Sequence, residues 1–216
     1  VGLQRITARV LAAADRLKVI GRCGVGLDNI DLAAAGSRGI PVVYTPGANA
    51  QTVADLAIGL LLALCRKITQ ADRMTRDHQW KRIMGNDLWG KTLGICGLGQ
   101  IGANVARRAR GFDMEVVAYD VVQNAPLARE LGVQFVSKAD ILARADFLTL
   151  HLPLTEQTRG FIADEEFKAM KKTAFLVNTS RGGVVDEAAL HRALQEGEIA
   201  GAALDVFDRE PPGKTP

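Results

Sequence analysis

Residues 92–102 are Thr92-Leu93-Gly94-Ile95-Cys96-Gly97-Leu98-Gly99-Gln100-Ile101-Gly102: an apolar run, three glycines spaced G-x-G-x-x-G, and the opening of an amphipathic stretch. The spacing alone is a weak signal. Its position, directly after a strand-like run and at the start of a helix-like one, is what gives it meaning. Each glycine then has a task. Gly97 permits a tight turn, Gly99 leaves bare backbone for a phosphate to approach, and Gly102 lets the helix pack close to the strand. The N–H groups near Gln100 and Ile101 have no partner within the helix and, with the helix dipole, favour an anion such as a pyrophosphate.

Eighteen residues beyond Gly102 comes Asp120, at the end of the next apolar run, Glu115–Tyr119. A carboxylate there accepts hydrogen bonds from both hydroxyls of an adenosine ribose and repels a 2′-phosphate. The pair of features predicts an NAD site that discriminates against NADP. Strands are further predicted at 134–136, Phe147–Leu150, 174–178 and 200–205, with helices starting near Gln100, Ala125, Ser137, Asp164 and Asp186. Ser137-x-x-Asp140 has the form of a capping box, and Asp186 suits an N-cap. Six strands alternating with helices predict an α/β fold, a doubly wound parallel sheet of the Rossmann type.

The segment before this series has a different character. A helix is predicted over 9–16, a strand over 18–21, then the loop Cys23-Gly24-Val25-Gly26-Leu27-Asp28, a helix over 31–37 and a strand at Val42–Tyr44. Two strands and two helices bury little surface by themselves. Residues 1–45 are therefore expected to be a fragment of a second, smaller α/β substrate domain, with 46–212 as the dinucleotide-binding domain and 213–216 starting a return to the first. Tyr44-Thr45-Pro46-Gly47 marks the boundary and a hinge, because Pro46 forces Thr45 to be extended and Gly47 allows a turn. Pro211-Pro212 marks a second hinge. Thr52-x-x-Asp55 predicts the cap of one long helix over 52–74, apolar on most sides through Leu56, Ile58, Leu60, Leu61, Leu62 and Leu64.

Bulk properties exclude several classes. Of the 216 residues 48% are apolar and 24% charged, so a packed core is expected. The formal charge, 27 − 24 = +3, is too small to argue for nucleic acid or an anionic membrane as partner. The longest apolar stretch, 56–65, falls well short of the roughly 20 residues that a membrane span needs. Three widely spaced cysteines, Cys23, Cys65 and Cys96, argue against a disulfide framework or a metal site and fit a reducing, cytoplasmic compartment.

Three segments at predicted strand ends carry candidate chemistry: His151-Leu152-Pro153-Leu154-Thr155, Asn178-Thr179-Ser180-Arg181-Gly182-Gly183, and Leu204-Asp205-Val206-Phe207-Asp208-Arg209-Glu210-Pro211-Pro212. Ligands bind at the carboxyl ends of such strands, and Arg181 is placed to fork onto a carboxylate. With Gly24-x-Gly26-x-Asp28-Asn29 and the glycine loop, these segments resemble, in order and spacing, the D-isomer-specific 2-hydroxy-acid dehydrogenase family along essentially the whole chain. Within that family the similarity is greatest to the branch that oxidises D-3-phosphoglycerate.

The resemblance implies roles. Arg181 holds the substrate carboxylate and carbonyl, and Glu210 pairs with the catalytic histidine and raises its pKa. Asp205 lies near the nicotinamide, while Leu152, Thr179 and Ser180 line the cofactor beside Gly97, Gly99, Gln100, Ile101, Gly102 and Asp120. Gly24, Val25 and Gly26 receive the substrate carboxylate. The helix over 52–74 is similar to the family's dimer arm, implying a homodimer or higher homo-oligomer. The resemblance also implies that His151 is not the proton-transferring histidine, that this histidine lies beyond Pro216, and that the chain is cut short at both ends and lacks turnover alone; His78 and His191 fit surface or interface positions. Expected partners are thus NAD and a small 2-hydroxy or 2-oxo acid, with no metal, nucleic acid or membrane. Glyoxylate or hydroxypyruvate reduction on the same scaffold is an alternative, as is an NAD(H)-sensing, corepressor-like binding module. Retention of Arg181 and Glu210 favours an enzyme over the latter.

Overall fold

The structure, a computed structural model, describes residues 1–2 and 4–213. The chain divides into two compact units, Val1–Gln51 and Thr52–Pro216, a few residues downstream of the expected break at 45/46. The expected return segment, 213–216, lies outside the described residues apart from Gly213.

In the first unit, α1 (Ala8–Ala12), β1 (Ile20–Arg22), α2 (Leu32–Ser37) and β2 (Val42–Tyr44) follow in order. The two strands pair in parallel, Ile20 opposite Val42. Thr7 and Asp31 cap the helices through their side chains. α1 is shorter than the predicted 9–16. Leu11, Ile20, Ile30, Ala35 and Ile40 form a small core.

Helix α3 (Ala50–Cys65) begins at the end of the first unit and lies mostly in the second, which continues with α4 (Ile68–Arg76), β3 (Thr92–Cys96), α5 (Gln100–Ala109), β4 (Glu115–Tyr119), α6 (Ala125–Leu131), β5 (Gln134–Phe135), α7 (Lys138–Arg144), β6 (Phe147–Leu150), α8 (Asp164–Ala169), β7 (Phe175–Asn178), α9 (Glu187–Glu196) and β8 (Gly201–Leu204). The six strands lie in the order β5-β4-β3-β6-β7-β8 and every pairing is parallel. This is the doubly wound sheet, with its reversal of order beside β3. Asn124, Ser137 and Asp186 cap α6, α7 and α9 through their side chains.

Strand residues alternate between two cores. Leu93, Ile95, Phe147, Phe175 and Val177 face one with Ala54, Ala57, Ile58 and Leu61 of α3 and Val105 of α5. Leu148, Leu150 and Leu176 face the other with Ile141, Phe167 and Leu190. Cys96 belongs to the second, where burial pushes its thiol up to about 12, so it acts as a small apolar residue. At the amino ends of the central strands, the Asp146 carboxylate accepts the Thr92 N–H at 2.9 Å and the Lys171 ammonium at 2.9 Å. Burial works to raise its pKa, yet those two donors outweigh burial and hold the carboxyl below its ordinary value.

The single helix expected over 52–74 is two helices. α3 ends at Cys65, whose carbonyl accepts the Asn86 N–H at 2.8 Å as Gly85 crosses the helix end. A Cβ on Gly85 would lie 2.7 Å from that carbonyl oxygen. Lys67 then takes a left-handed conformation, φ 54°, before α4. The proposed Thr52–Asp55 cap is also corrected: the helix already starts at Ala50, and Asp55 instead pairs with Arg108 at 2.6 Å. No helix of the described residues is long and apolar enough to cross a membrane.

Candidate functional site

The turn between β3 and α5 has the shape its glycines require. Gly97 adopts φ +95°, and a Cβ there would lie 2.7 Å from the His151 carbonyl oxygen. A Cβ on Gly102 would lie 2.1 Å from the Gly97 carbonyl oxygen, so helix and turn are packed too closely for any side chain. A Cβ on Gly99 would meet nothing within 4 Å: this side of the turn is open. Gly99 is the N-cap of α5 and makes no side-chain cap, leaving the first N–H groups of the helix to a ligand.

Asp120 also holds this turn in place. Its Oδ2 accepts the Leu98 N–H at 2.8 Å and its Oδ1 accepts the Val122 N–H at 3.0 Å. The sequence marked Asp120 as a ribose ligand but not as the residue that fixes the turn; the contact depends on β3 and β4 being neighbours. Each oxygen retains a lone pair for a ribose hydroxyl.

The last paired residues of the strands are Tyr119 with Cys96, Cys96 with Leu150, Leu150 with Asn178, and Asn178 with Leu204. One residue further on, Asp120, Gly97, His151, Thr179 and Asp205 form a row across the carboxyl edge. Leu152 leans toward this turn, its Cδ2 3.2 Å from the Cβ position of Gly97.

After β7 the chain is held by Asn178, buried and central to the local network. Its Oδ1 accepts both the N–H (3.0 Å) and hydroxyl (2.8 Å) of Ser180, and its Nδ2 donates to the Arg181 carbonyl at 2.9 Å. Arg181 is extended, φ −146° and ψ 142°, and its guanidinium donates to the Ser180 carbonyl at 2.7 Å. Gly182 lies against the next segment so closely that a Cβ would fall 1.9 Å from the Phe207 carbonyl carbon. The turn bearing Arg181 and the segment 205–210 thus form one packed piece. Asp208 N–H donates to Glu187 at 2.6 Å, and Asp205 N–H to the Asn178 carbonyl at 3.0 Å. Glu210 is exposed and its Oε1 accepts the Phe207 N–H at 3.1 Å. The sequence marks Asn178 and Gly182 as parts of the 178–183 segment, but not the bonds by which Asn178 holds it, the fit of Gly182 under Phe207, or the part played by Glu187. Gly24, Val25 and Gly26 lie in the first unit, where Arg22 donates to the Cys23 and Gly26 carbonyls at 2.7 and 2.9 Å.

Residues 58–216 match the sequence profile described as the D-isomer specific 2-hydroxyacid dehydrogenase NAD binding domain. The chain belongs to the D-isomer specific 2-hydroxyacid dehydrogenase family. It is 49% identical over 212 residues to a glyoxylate reductase of Korarchaeum cryptofilum, covering 95% of this chain and 64% of that protein. It is 48% identical over 215 residues to a D-3-phosphoglycerate dehydrogenase of Methanocaldococcus jannaschii, covering 98% of this chain but 41% of that protein. The crystal structure of an Aquifex aeolicus D-lactate dehydrogenase, complexed with NAD and lactic acid, superposes with a TM-score of 0.90 at 34% identity, over 97% of this chain and 64% of that one. The chain therefore spans less than two thirds of the length of these relatives.

NAD is the cofactor of this 2-hydroxyacid dehydrogenase domain. The residues present fit it: the open side of Gly99, the donors opening α5, the Asp120 carboxylate, and a buried Thr179 hydroxyl oxygen with no hydrogen-bond partner.

His151 is mostly buried, and burial pushes its imidazole from 6.5 down to about 4. A ring with that pKa is neutral at pH 7. Between those two values the unfolded chain binds a proton that the folded one refuses. Stability from this group is complete above pH 6.5 and is lost as pH falls toward 4, by about 3 kcal/mol in total at 1.4 kcal/mol per pH unit. Urea unfolding at pH 7.0 and 4.5 should show a smaller drop for His151→Asn than for the wild type. An equal drop would show that His151 does not stay neutral.

Proposed function

We propose that the intact protein is an NAD-dependent oxidoreductase that interconverts a D-2-hydroxy acid and its 2-oxo acid, with D-3-phosphoglycerate as substrate. The observation that carries this reading is the position of Arg181 three residues after the end of β7, in the turn that leaves the same carboxyl edge as the glycine turn and Asp120. Bound NAD would supply the hydride acceptor for oxidation at C2 of the hydroxy acid, and NADH the hydride donor in the reverse direction. The protein's residues bind and orient. Asp120 accepts from the ribose hydroxyls, the N–H groups of Gln100 and Ile101 face the pyrophosphate, and Leu152, Thr179, Ser180 and Asp205 line the cofactor. Arg181 forks onto the substrate carboxylate and steadies the charge on the reacting oxygen. Glu210 supports the general base that takes the hydroxyl proton. In the first unit, the N–H groups of Gly24, Val25 and Gly26 form a nest suited to a carboxylate.

Phosphoglycerate is favoured by overall similarity to proteins named for that activity, which would place the protein in serine biosynthesis in the cytoplasm. Glyoxylate or hydroxypyruvate reduction is a second reading, favoured by the glyoxylate reductase relative. Assay of the intact protein with D-3-phosphoglycerate, glycerate and lactate, and with glyoxylate and hydroxypyruvate in reverse, separates them. The highest kcat/KM is expected for phosphoglycerate. A maximum with glyoxylate moves the assignment to the second reading, and NADH binding without turnover of any acid would leave a dinucleotide sensor. A homodimer through α3, whose Leu56 remains exposed, predicts twice the protomer mass by light scattering at micromolar concentration.

Asp120→Ala should weaken NAD binding about tenfold or more, the value of one charge-assisted hydrogen bond, and narrow the gap between NAD and NADP. Calorimetric titration with both dinucleotides checks this. Equal affinity of the wild type for NADP would remove Asp120 from the ribose site.

A further inference from the structure

Among the described residues, two buried side-chain atoms have no hydrogen-bond partner: Nδ1 of His151 and Oγ1 of Thr179. They are not scattered. Leu150 and Asn178 are the last paired residues of β6 and β7, so His151 and Thr179 stand side by side one position further. By the alternation of a strand, they share the sheet face of Thr149 and Val177, the next pair but one below. Their neighbours in the same row are Gly97 and Asp205.

His151 cannot use its other nitrogen to relieve this. Nε2 lies 3.1 Å from the hydroxyl of Thr149, which is wholly buried. If Nε2 carries the proton and donates, Nδ1 is left as an acceptor; if the Thr149 hydroxyl donates, Nδ1 carries the proton and needs an acceptor. In either tautomer Nδ1 is a buried polar atom left without a partner, which disfavours the empty site. Thr179 Oγ1 carries the same burden one strand away. A hydroxyl group both donates and accepts, so a single one can satisfy either tautomer of the ring and the threonine at once.

We infer that His151 and Thr179 together form a clamp for one hydroxyl in the floor of the NAD crevice, making His151 a cofactor-positioning residue and not a proton-transfer residue. The hydroxyl is that of a ribose of the bound dinucleotide or of a water held beneath it. The neutral state of the ring suits such a clamp, since a cation would need a counter-charge. The inference rests on NAD occupying the carboxyl edge of this sheet.

The test uses protein labelled with 15N-histidine, with the His151 ring signals assigned through His151→Asn. The Nδ1 shift should show a hydrogen bond, already without NAD where a water supplies the hydroxyl and only with NAD where a ribose does, and Thr179→Val should move the bonded shift toward the value of a free ring. Thr179→Val should also lower NAD affinity about tenfold by calorimetry, one hydrogen bond's worth. A further move of the Nδ1 shift on adding NAD identifies the ribose hydroxyl as the source; an unchanged shift identifies the retained water. A Nδ1 shift indifferent both to Thr179→Val and to NAD overturns the clamp. Calorimetry on the wild type separates the two ideas: failure of NAD to bind would sink the cofactor site, whereas binding with an indifferent Nδ1 sinks only the clamp.

Discussion

Replacing Arg181 by alanine is expected to lower kcat/KM of the intact protein roughly 30- to 3,000-fold, the equivalent of about 2–5 kcal/mol for truncating one partner of a buried, hydrogen-bonded charge pair. The loss should come without unfolding. The backbone around Arg181 is held by Asn178, which takes its carbonyl at 2.9 Å, and by the close fit of Gly182 under Phe207 and Asp208. Neither contact uses the guanidinium. Arg181→Lys keeps the charge but not the planar fork, so it should recover little of the rate. Steady-state kinetics with the preferred acid, beside circular dichroism of each variant, decides the matter. Wild-type kcat/KM in a folded Arg181→Ala protein would remove this residue from the chemistry.

The second large effect separates two glycines that look alike in the sequence. Gly102→Ala places a methyl group 2.1 Å from the Gly97 carbonyl oxygen and 3.0 Å from Ile95 Cγ2. The turn must shift, and overpacking of this kind costs about 1–3 kcal/mol. Both the melting temperature and NAD affinity should fall. Gly99→Ala places its methyl where nothing lies within 4 Å, at ordinary backbone angles, φ −78°. Its stability should change by about 1 kcal/mol or less. Its NAD affinity should nevertheless fall about tenfold or more, because the methyl fills the space a pyrophosphate needs. Thermal melts and NAD titrations of the two variants are the measurements. If Gly99→Ala bound NAD as the wild type does, the pyrophosphate would not lie over this turn.

Much of the second unit was legible because its signals are local. The strands are apolar runs ended by polar or glycine residues, and Asn124, Ser137 and Asp186 cap the helices that follow them, each from one side chain to a nearby N–H. What was not legible depends on residues distant in sequence. Nothing in Arg66-Lys67 announces a helix break; the break follows from Gly85 and Asn86 crossing the end of α3 some twenty residues later. Thr52 and Asp55 have the spacing of a cap, yet Arg108 takes the carboxylate across the fold. In the site, the turn and Asp120 were readable from spacing. The bond from Asp120 to Leu98, the packing of Gly182 on Phe207, and the pairing of two orphaned atoms at His151 and Thr179 all require the strand order.

Asp146 has a consequence for how this protein can change. Its carboxylate joins the first residue of β3 to the loop ahead of β7, at the rim of the sheet opposite the one that carries Asp120, His151, Arg181 and Asp205. Anchorage and the candidate site thus sit at opposite poles of the same strands. On the proposed reading, substitutions around Leu152, Thr179 or Asp205 change how the cofactor is held while the far pole keeps the strands in register. A mutational library confined to the carboxyl rim should yield folded proteins far more often than one spread over Thr92, Asp146 and Lys171.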